Sequence, residues 1–406
     1  MKVSQTKCKI VCLALFLFIA PGHLVAEPDT LFDEGVIIPL RANKTHRGVH
    51  ANILQLKNGT LLLAYSFFKS EGFESNLLLN NPDGGIAGRT SYDLGRTWSK
   101  PFIMRTNVGT GIIHHSPGFL RLKDGNILFH YDIGSKTTVS QISREGYYEN
   151  TYVSISSDEM KTWTPHLCIT NFMAGKCGAM PGSLIQLSTG RIILPFDTRT
   201  PVNNVRLVSL SAYSDDGGYS WWPSKNIVDI KGPPNSGTEE PVIAELKNGD
   251  LVMLCRTFEG YLCRSYSKDH GESWSEPELV KDLPSSIPSP LDIARIPETN
   301  DLVAVWCHNP LGPERAKGKE QPVVQVAQLK LPLGNVRAPL TAAISQDAGK
   351  TWKHHRNITS DPEGVYRDYG YPSIVFVENG KIALITCNSI DGIRLARIGI
   401  EWFYGK

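Results

Sequence analysis

The chain is 406 residues long, 41% hydrophobic and 20% charged, with a formal net charge of +2. That is room for one large globular domain or two ordinary ones. It excludes a charge-driven nucleic-acid or membrane-surface binder: no long basic run occurs, so any bound anion must be held by a local cluster.

Residues 1–26 combine Lys2, Lys7 and Lys9 with an apolar run from Ile10 to Ala20 and a Val25-Ala26 step before Glu27-Pro28. This reads as a secretory signal peptide, its apolar run short for a bilayer. The expectation is a secreted or periplasmic protein with no transmembrane segment after cleavage. Cys8 and Cys12 leave with the signal, and Cys168, Cys177, Cys255, Cys263, Cys307 and Cys387 remain. Cys168 with Cys177, or Cys255 with Cys263, are near enough in sequence to bridge. Buried thiols in strands are the other reading, and no pair has zinc spacing.

Past residue 27 two patterns repeat. The first is Ser-x-Asp-x-Gly-x-Thr/Ser-Trp, found at Ser91–Trp98, Ser156–Trp163, Ser214–Trp221, Ser267–Trp274 and Ser345–Trp352. It suits a hairpin turn in which the Asp accepts turn amides, the Gly takes positive φ and the Trp folds back beneath the turn. The second copy carries Met160 in place of the Gly, which predicts a distorted turn there. The other pattern is an apolar strand, a turn with Gly and a second apolar strand, often opened by Pro. Its copies are Ala51–Ser66, Pro117–Tyr131, Pro181–Asp197, Pro241–Arg256, Pro290–Trp306 and Pro372–Asn388.

Six such hairpins, each followed by two more strands around the Asp-box, predict an all-β, six-bladed β-propeller of four-stranded antiparallel blades. The sixth blade lacks an Asp-box and has a third strand around Gly392–Phe403. Its fourth is expected from Gly35–Leu40, so that the N-terminal strand closes the ring and removes the free edge. No linker divides residues 27–406, which are read as a single domain.

Strand direction then sorts the chemistry. The start of strand one, the end of strand two and the start of strand three share one face, and the Asp-box turns lie on the other. The first face collects Arg47 and His50, His114 and His115, Glu239 and Glu240, Arg256, Arg337, Tyr369 and Tyr371. The blade-one loop with Glu71, Glu74 and Asp83 opens there too. Adjacent His114 and His115 point to opposite sides of their strand, so at most one faces the mouth. Three arginines, several carboxylates and two tyrosines make a mouth for an anionic small ligand.

At these residues the chain resembles the exo-α-sialidases (neuraminidases), over nearly all of its mature length. Glu240-Pro-Val-Ile-Ala-Glu through Cys255-Arg256 is similar to the family's fourth-blade segment. The Asn309-Pro310 turn followed by Arg337 ahead of an Asp-box, and Tyr369-Gly-Tyr371-Pro-Ser373, match two more family segments. The resemblance implies Tyr371 as nucleophile with Tyr369 as the second choice, Glu240 as the base that polarises it, and Arg256 and Arg337 as two of three carboxylate clamps. A neutral tyrosine suits a substrate whose own carboxylate would repel a carboxylate nucleophile. The planar fork of arginine suits the clamp. No cofactor and no metal are implied.

Two departures stand out. Where the family opens blade one with Arg-Ile-Pro, this chain has Arg47-Gly-Val-His50, with Val49 at the matching place; Arg47 or His50 is left to supply the first clamp. The family's acid/base Asp has no exact counterpart, and Asp83 is the choice, with Glu74 and Glu71 behind it. Glu239, His115, Tyr369 and Glu74 are further candidates for substrate contact. The expectation is a retaining exo-sialidase acting on sialylated glycans. A propeller glycosidase or lyase for another acidic glycan, or a noncatalytic glycan-binding propeller, are the alternatives.

Overall fold

The computed structural model describes residues 31–40, 44, 46–68, 84–106, 112–136, 147–171, 177–199, 206–232, 237–362 and 364–405. The expected signal peptide, and the loop carrying Glu71, Glu74 and Asp83, lie outside them.

Six antiparallel sheets are arranged as a six-bladed β-propeller. Blade one runs Ala51–Gln55, Leu61–Phe68, Gly84–Ser91 and Phe102–Thr106. Blades two, four and five follow the same meander. In blade six, Gly370–Val377, Ile382–Ser389 and Gly392–Gly399 are completed by Phe32–Pro39, which pairs antiparallel with Gly392–Gly399. The ring is therefore closed by the N-terminal strand, whose Asp33 and Glu34 also pair with Arg397 and Arg394.

Blade three departs from the repeat because its first strand is split into Cys177–Gly178 and Ile185–Gln186, both paired with Ile192–Arg199. Between them Gly182 has φ +70, and a Cβ there would meet Asn52 Nδ2 at 2.3 Å and Ser373 Oγ at 2.8 Å. Only glycine allows this backbone to reach blades one and six.

The apolar alternation of each strand is spent on its neighbours rather than on a common centre. Among the described residues, six separate clusters of buried side chains fill the wedges between adjacent blades, for instance Leu54, Leu62, Ile86, Phe119, Phe129 and Tyr131 between blades one and two. The axis is polar. A channel of about 800 Å³ is lined by Asn52, Arg121, Gln186, Glu245, Asp292 and Arg295 among others. Polar side chains near the axis and on strand two satisfy the backbone of the next blade: Phe119 N donates to Asn52 Oδ1 (2.9 Å), Ile374 N to Asp292 Oδ2 (2.8 Å), Ala179 N to Asp132 Oδ2 (3.2 Å) and Glu240 N to Asp197 Oδ2 (3.1 Å). Buried amides need such partners, and these bonds fix the angular position of one inner strand against the next.

The Asp-box turns behave as their chemistry dictates. In the first, Thr97 N and Thr97 Oγ1 donate to Asp93 at 2.9 and 2.7 Å, Gly95 has φ +80, and Trp98 Nε1 donates to Gly95 O. The expected distortion of the second copy is absent. Met160 adopts φ +71 and its N–H still donates to Ser156 Oγ at 2.9 Å, as Gly95 N does to Ser91 Oγ at 2.8 Å. The turn's hydrogen bonds outweigh the left-handed cost, about 1–2 kcal/mol. The described cysteines are thiols, with Cys255 and Cys263 opposite each other across two strands.

Candidate functional site

Three strands open on the same device. In blades two, four and six a β-bulge interrupts strand one, between His115 and Gly118, Glu239 and Val242, and Gly370 and Ser373. At each bulge one residue before a proline has positive φ: Ser116 at 52°, Glu240 at 48° and Tyr371 at 51°. A non-glycine residue held there costs about 1–3 kcal/mol, and such strain gathers at functional sites. The bulges re-aim these three side chains.

Two of them meet. The Tyr371 hydroxyl donates to Glu240 Oε1 at 2.8 Å, across 131 residues of sequence. Arg256, at the end of strand two in blade four, lies 2.5 Å from Glu240 Oε2 and 2.8 Å from Glu239 Oε2. Burial works to raise the Glu240 carboxyl, but the Arg256 and Arg337 charges win and hold it below its ordinary value. Burial, with the Glu240 charge beside it, pushes the Tyr371 phenol well above the usual tyrosine range, against the pull of Arg256 and Arg337. The resting pair is thus phenol and carboxylate, bonded to each other.

Arg337 is only 3% exposed, and its Nε donates to Pro288 O at 2.9 Å. Its Nη1 is buried with no hydrogen-bond partner among the described residues. Desolvation and the charges of Arg47 and Arg256 weaken its hold on its proton. It is placed by Asn309, whose Nδ2 donates to Leu333 O and Val336 O at 2.8 and 3.0 Å, and by Tyr369 N, which donates to Arg337 O at 2.7 Å. Arg47 comes close enough to act on Arg337 and is itself gripped by Asp368. Val49 is packed in the wedge between blades six and one, so the guanidinium arrives two residues earlier than the family spacing places it.

His50 joins the same mouth. Its ring lies on that of Tyr371, centroids 3.9 Å apart, and its Nδ1 is 2.8 Å from Ser116 Oγ. His115 faces it, with Nδ1 2.9 Å from Ser116 Oγ and Nε2 3.5 Å from Glu149. His114 turns the other way, toward Tyr131, as strand alternation requires. Tyr369 is not with Tyr371: it is 1% exposed in the wedge between blades five and six, and its hydroxyl donates to Asp361 at 2.7 Å. Asp83, Glu74 and Glu71 lie outside the described residues.

Four residues escape the sequence reading. Asp368 pairs with Arg47, Ser116 joins two imidazoles, and Asp132 and Glu149 lie buried with His115, their ligand atoms within 4.8 Å of one another. Ser116 carries a signal in the sequence, since Ser116-Pro117 repeats the placing of Glu240-Pro241 and Tyr371-Pro372. Asp132 does too, since it stands as far into strand two of blade two, Ile127–Lys136, as Arg256 stands into strand two of blade four, Leu251–Thr257. Asp368 carries none, because its loop belongs to neither repeat.

Residues 117–384 match the model of the BNR repeat-like domain. The chain belongs to that family. Among BNR-repeat proteins, it is 25% identical over 244 residues to a sialidase of Clostridium perfringens, 54% of this chain and 59% of that one. It spans little more than half the length of the curated sialidases it matches. In structure it is similar to a protein of unknown function from Dyadobacter fermentans DSM 18053, with a TM-score of 0.64 at 18% identity, covering 90% of this chain and 99% of that one. It is also similar to the Hadza microbial sialidase Hz136, with a TM-score of 0.63 at 14% identity, covering 87% and 66%. These structural likenesses show a shared fold. The fold is thus that of a sialidase-type BNR propeller.

Proposed function

We propose that this protein is a retaining exo-α-sialidase, exported by residues 1–26, that removes terminal sialic acids from glycoconjugates. The observation that carries the reading is the bonded Tyr371–Glu240 pair beside Arg337, a buried cation whose Nη1 has no hydrogen-bond partner among the described residues. A buried guanidinium without a carboxylate is costly unless an anion arrives to meet it. The sialidase relatives support the substrate class.

Arg337, Arg256 and Arg47 hold the substrate carboxylate. Glu240 takes the phenol proton as the Tyr371 oxygen bonds to the anomeric carbon, and the glycosidic bond breaks with its electron pair passing to the departing oxygen. Positive charge developing at that carbon favours proton transfer from a phenol that resists it at rest. Water then displaces the phenolate, which recovers its proton from Glu240, giving net retention. The departing oxygen needs a proton. Asp83, Glu74 and Glu71 are the loop carboxylates offered for it by sequence, and His50 is the group that the described mouth sets against Tyr371.

The test is release of fluorophore from an α-sialoside by the purified protein, beside Tyr371→Phe and Arg337→Ala. Release that both substitutions abolish supports the reading. A folded wild type that releases nothing overturns it and turns attention to other acidic glycans.

A further inference from the structure

We propose that His115, Asp132 and Glu149 bind a single divalent metal ion of the zinc class on the blade-two side of the mouth. The inference goes beyond the sialidase reading and does not depend on it, since the proposed chemistry uses none of the three residues.

Strand register builds the site. His115, Asp132 and Thr151 are partners in one row across strands one, two and three of blade two, so their side chains leave the same face of the sheet. The row of Ile113, Gly134 and Glu149 lies two residues away and shares that face. Gly134 has no side chain, which leaves room over the middle strand. Glu149 uses it: the ligand atoms of His115, Asp132 and Glu149 all lie within 4.8 Å of one another, with His115 Nε2 3.5 Å from Glu149 Oε1.

Charge supplies the second argument. Asp132 and Glu149 are 1% and 3% exposed, and neither forms an ion pair with an Arg or Lys among the described residues. No hydrogen bond from a described residue reaches the Glu149 carboxylate, whose one ion-pair partner there is His115. Buried carboxylates are costly unless a cation meets them. A protonated His115 brings one positive charge to two negative groups, whereas a divalent ion brings two.

The donor set and its supports supply the third. Zinc holds imidazole nitrogen and carboxylate oxygen at about 2.0–2.2 Å, so two such ligands at a tetrahedral angle stand about 3.4 Å apart. The separation of His115 Nε2 from Glu149 Oε1 is close to that. Ser116 Oγ lies 2.9 Å from His115 Nδ1 and fixes the ring from its other side, while Thr151 Oγ1 and Ala179 N donate to the two oxygens of Asp132 at 2.6 and 3.2 Å. Outer contacts of this kind orient metal ligands. One imidazole with two carboxylates suits zinc better than calcium or magnesium, which favour oxygen alone. Three protein ligands leave a position for water, and the His115 side chain, 15% exposed, marks the open side.

The experiment takes the purified protein, prepared without a polyhistidine tag, strips it with dipicolinate and titrates it with zinc chloride in a calorimeter. We expect about one zinc per chain with a Kd below about 1 μM, a higher melting temperature on loading, and no competition from calcium. Glu149→Gln and Asp132→Asn keep the size of their side chains and should each weaken zinc binding at least about tenfold. Asp292→Asn, at the axis, should leave it unchanged. Cobalt(II) in place of zinc should show visible d–d bands without the near-ultraviolet band of a thiolate ligand, which separates this site from binding at a cysteine. That spectrum is read on wild type and decides the matter even where a carboxylate variant does not fold. Undiminished affinity in both folded carboxylate variants, a thiolate band, or no binding by wild type would overturn the site; in the last case the two acids share a proton instead. Fluorophore release from the α-sialoside is scored separately, so failure of the metal site leaves the sialidase reading standing, and a protein that binds zinc but cleaves nothing leaves the metal site standing.

Discussion

The Asp368 carboxylate closes on the Arg47 guanidinium with two hydrogen bonds, Nη2 to Oδ1 at 2.6 Å and Nε to Oδ2 at 2.7 Å, joining residues 321 positions apart. Asp368 is buried and at φ +51, while a third of the Arg47 side chain is exposed. A buried partner thus aims a half-open cation at the mouth. Asp368→Asn tolerates the same backbone but offers one acceptor oxygen in place of two, so Arg47 loses its two-pronged grip. We expect KM for an α-sialoside to rise about tenfold with kcat less affected, the pattern of a lost binding contact. A change confined to kcat would place Arg47 elsewhere in the cycle.

Tyr371→Phe and Glu240→Gln each remove one end of a single 2.8 Å hydrogen bond. On the proposed mechanism nucleophile and base act as a unit, so each change alone should lower kcat by about a thousandfold or more, and the double variant little further. Steady-state rates of the three variants check this; additive losses would show that the two side chains act separately.

Arg337 is a buried charge with the Arg47 and Arg256 guanidiniums near it. Arg337→Met should raise the melting temperature of the empty protein, because it relieves a desolvated cation beside two others. The same change should abolish the stabilisation that a sialic acid analogue gives to wild type. Thermal melts with and without the analogue measure both; a lower melting temperature in the empty variant would mean that the Pro288 hydrogen bond matters more than the charge.

The pH dependence has two separable parts. Glu240 is held ionised to below its ordinary value of 4.5, so its contribution to activity is present at neutrality and lost only as pH falls through that lowered pKa. An acid-side loss of turnover between about pH 5 and 7 therefore belongs to another group, and it should survive in variants that leave Glu240 intact. Asp292 goes the opposite way. Burial, only partly offset by the Ile374 and Ile293 amides, raises it to about 7. The folded state then binds a proton that the unfolded state has released, so this residue's contribution to stability declines as pH rises from about 4 to 7. Chemical denaturation of wild type and Asp292→Asn across that range should show the difference shifting toward the variant, by at most about 1.4 kcal/mol per pH unit; a constant difference would contradict the shifted titration.

The sequence is most legible where the fold repeats. Five Asp-boxes and six hairpins state the blade number, and Phe32–Pro39 is visible as the strand that the sixth blade lacks. Glu240 and Arg256 are readable because they sit at fixed places in that repeat. Met160 misled because the hydrogen bonds of the turn, not the freedom of glycine, set its shape. Tyr369 misled because two residues of separation carry Tyr369 and Tyr371 to the same side only in a regular strand, and the bulge at Tyr371 breaks that alternation. Asp368 could not be read, since loop geometry brings it to the mouth, and Glu149 could not, since only its buried contact with His115 and Asp132 places it.

The seam between Phe32–Pro39 and Gly392–Gly399 gives the molecule a clasp that joins residues as distant in sequence as Phe32 and Ile398. Bringing such distant segments together from a loose chain carries a large closure entropy. The intervening blades shorten that search only once they have stacked. Tyr371 lies in the blade that the clasp completes, so the residue proposed as nucleophile depends on that closure. A chain caught before that moment has its other blades, but the strand that bears Tyr371 is not yet locked against Glu240.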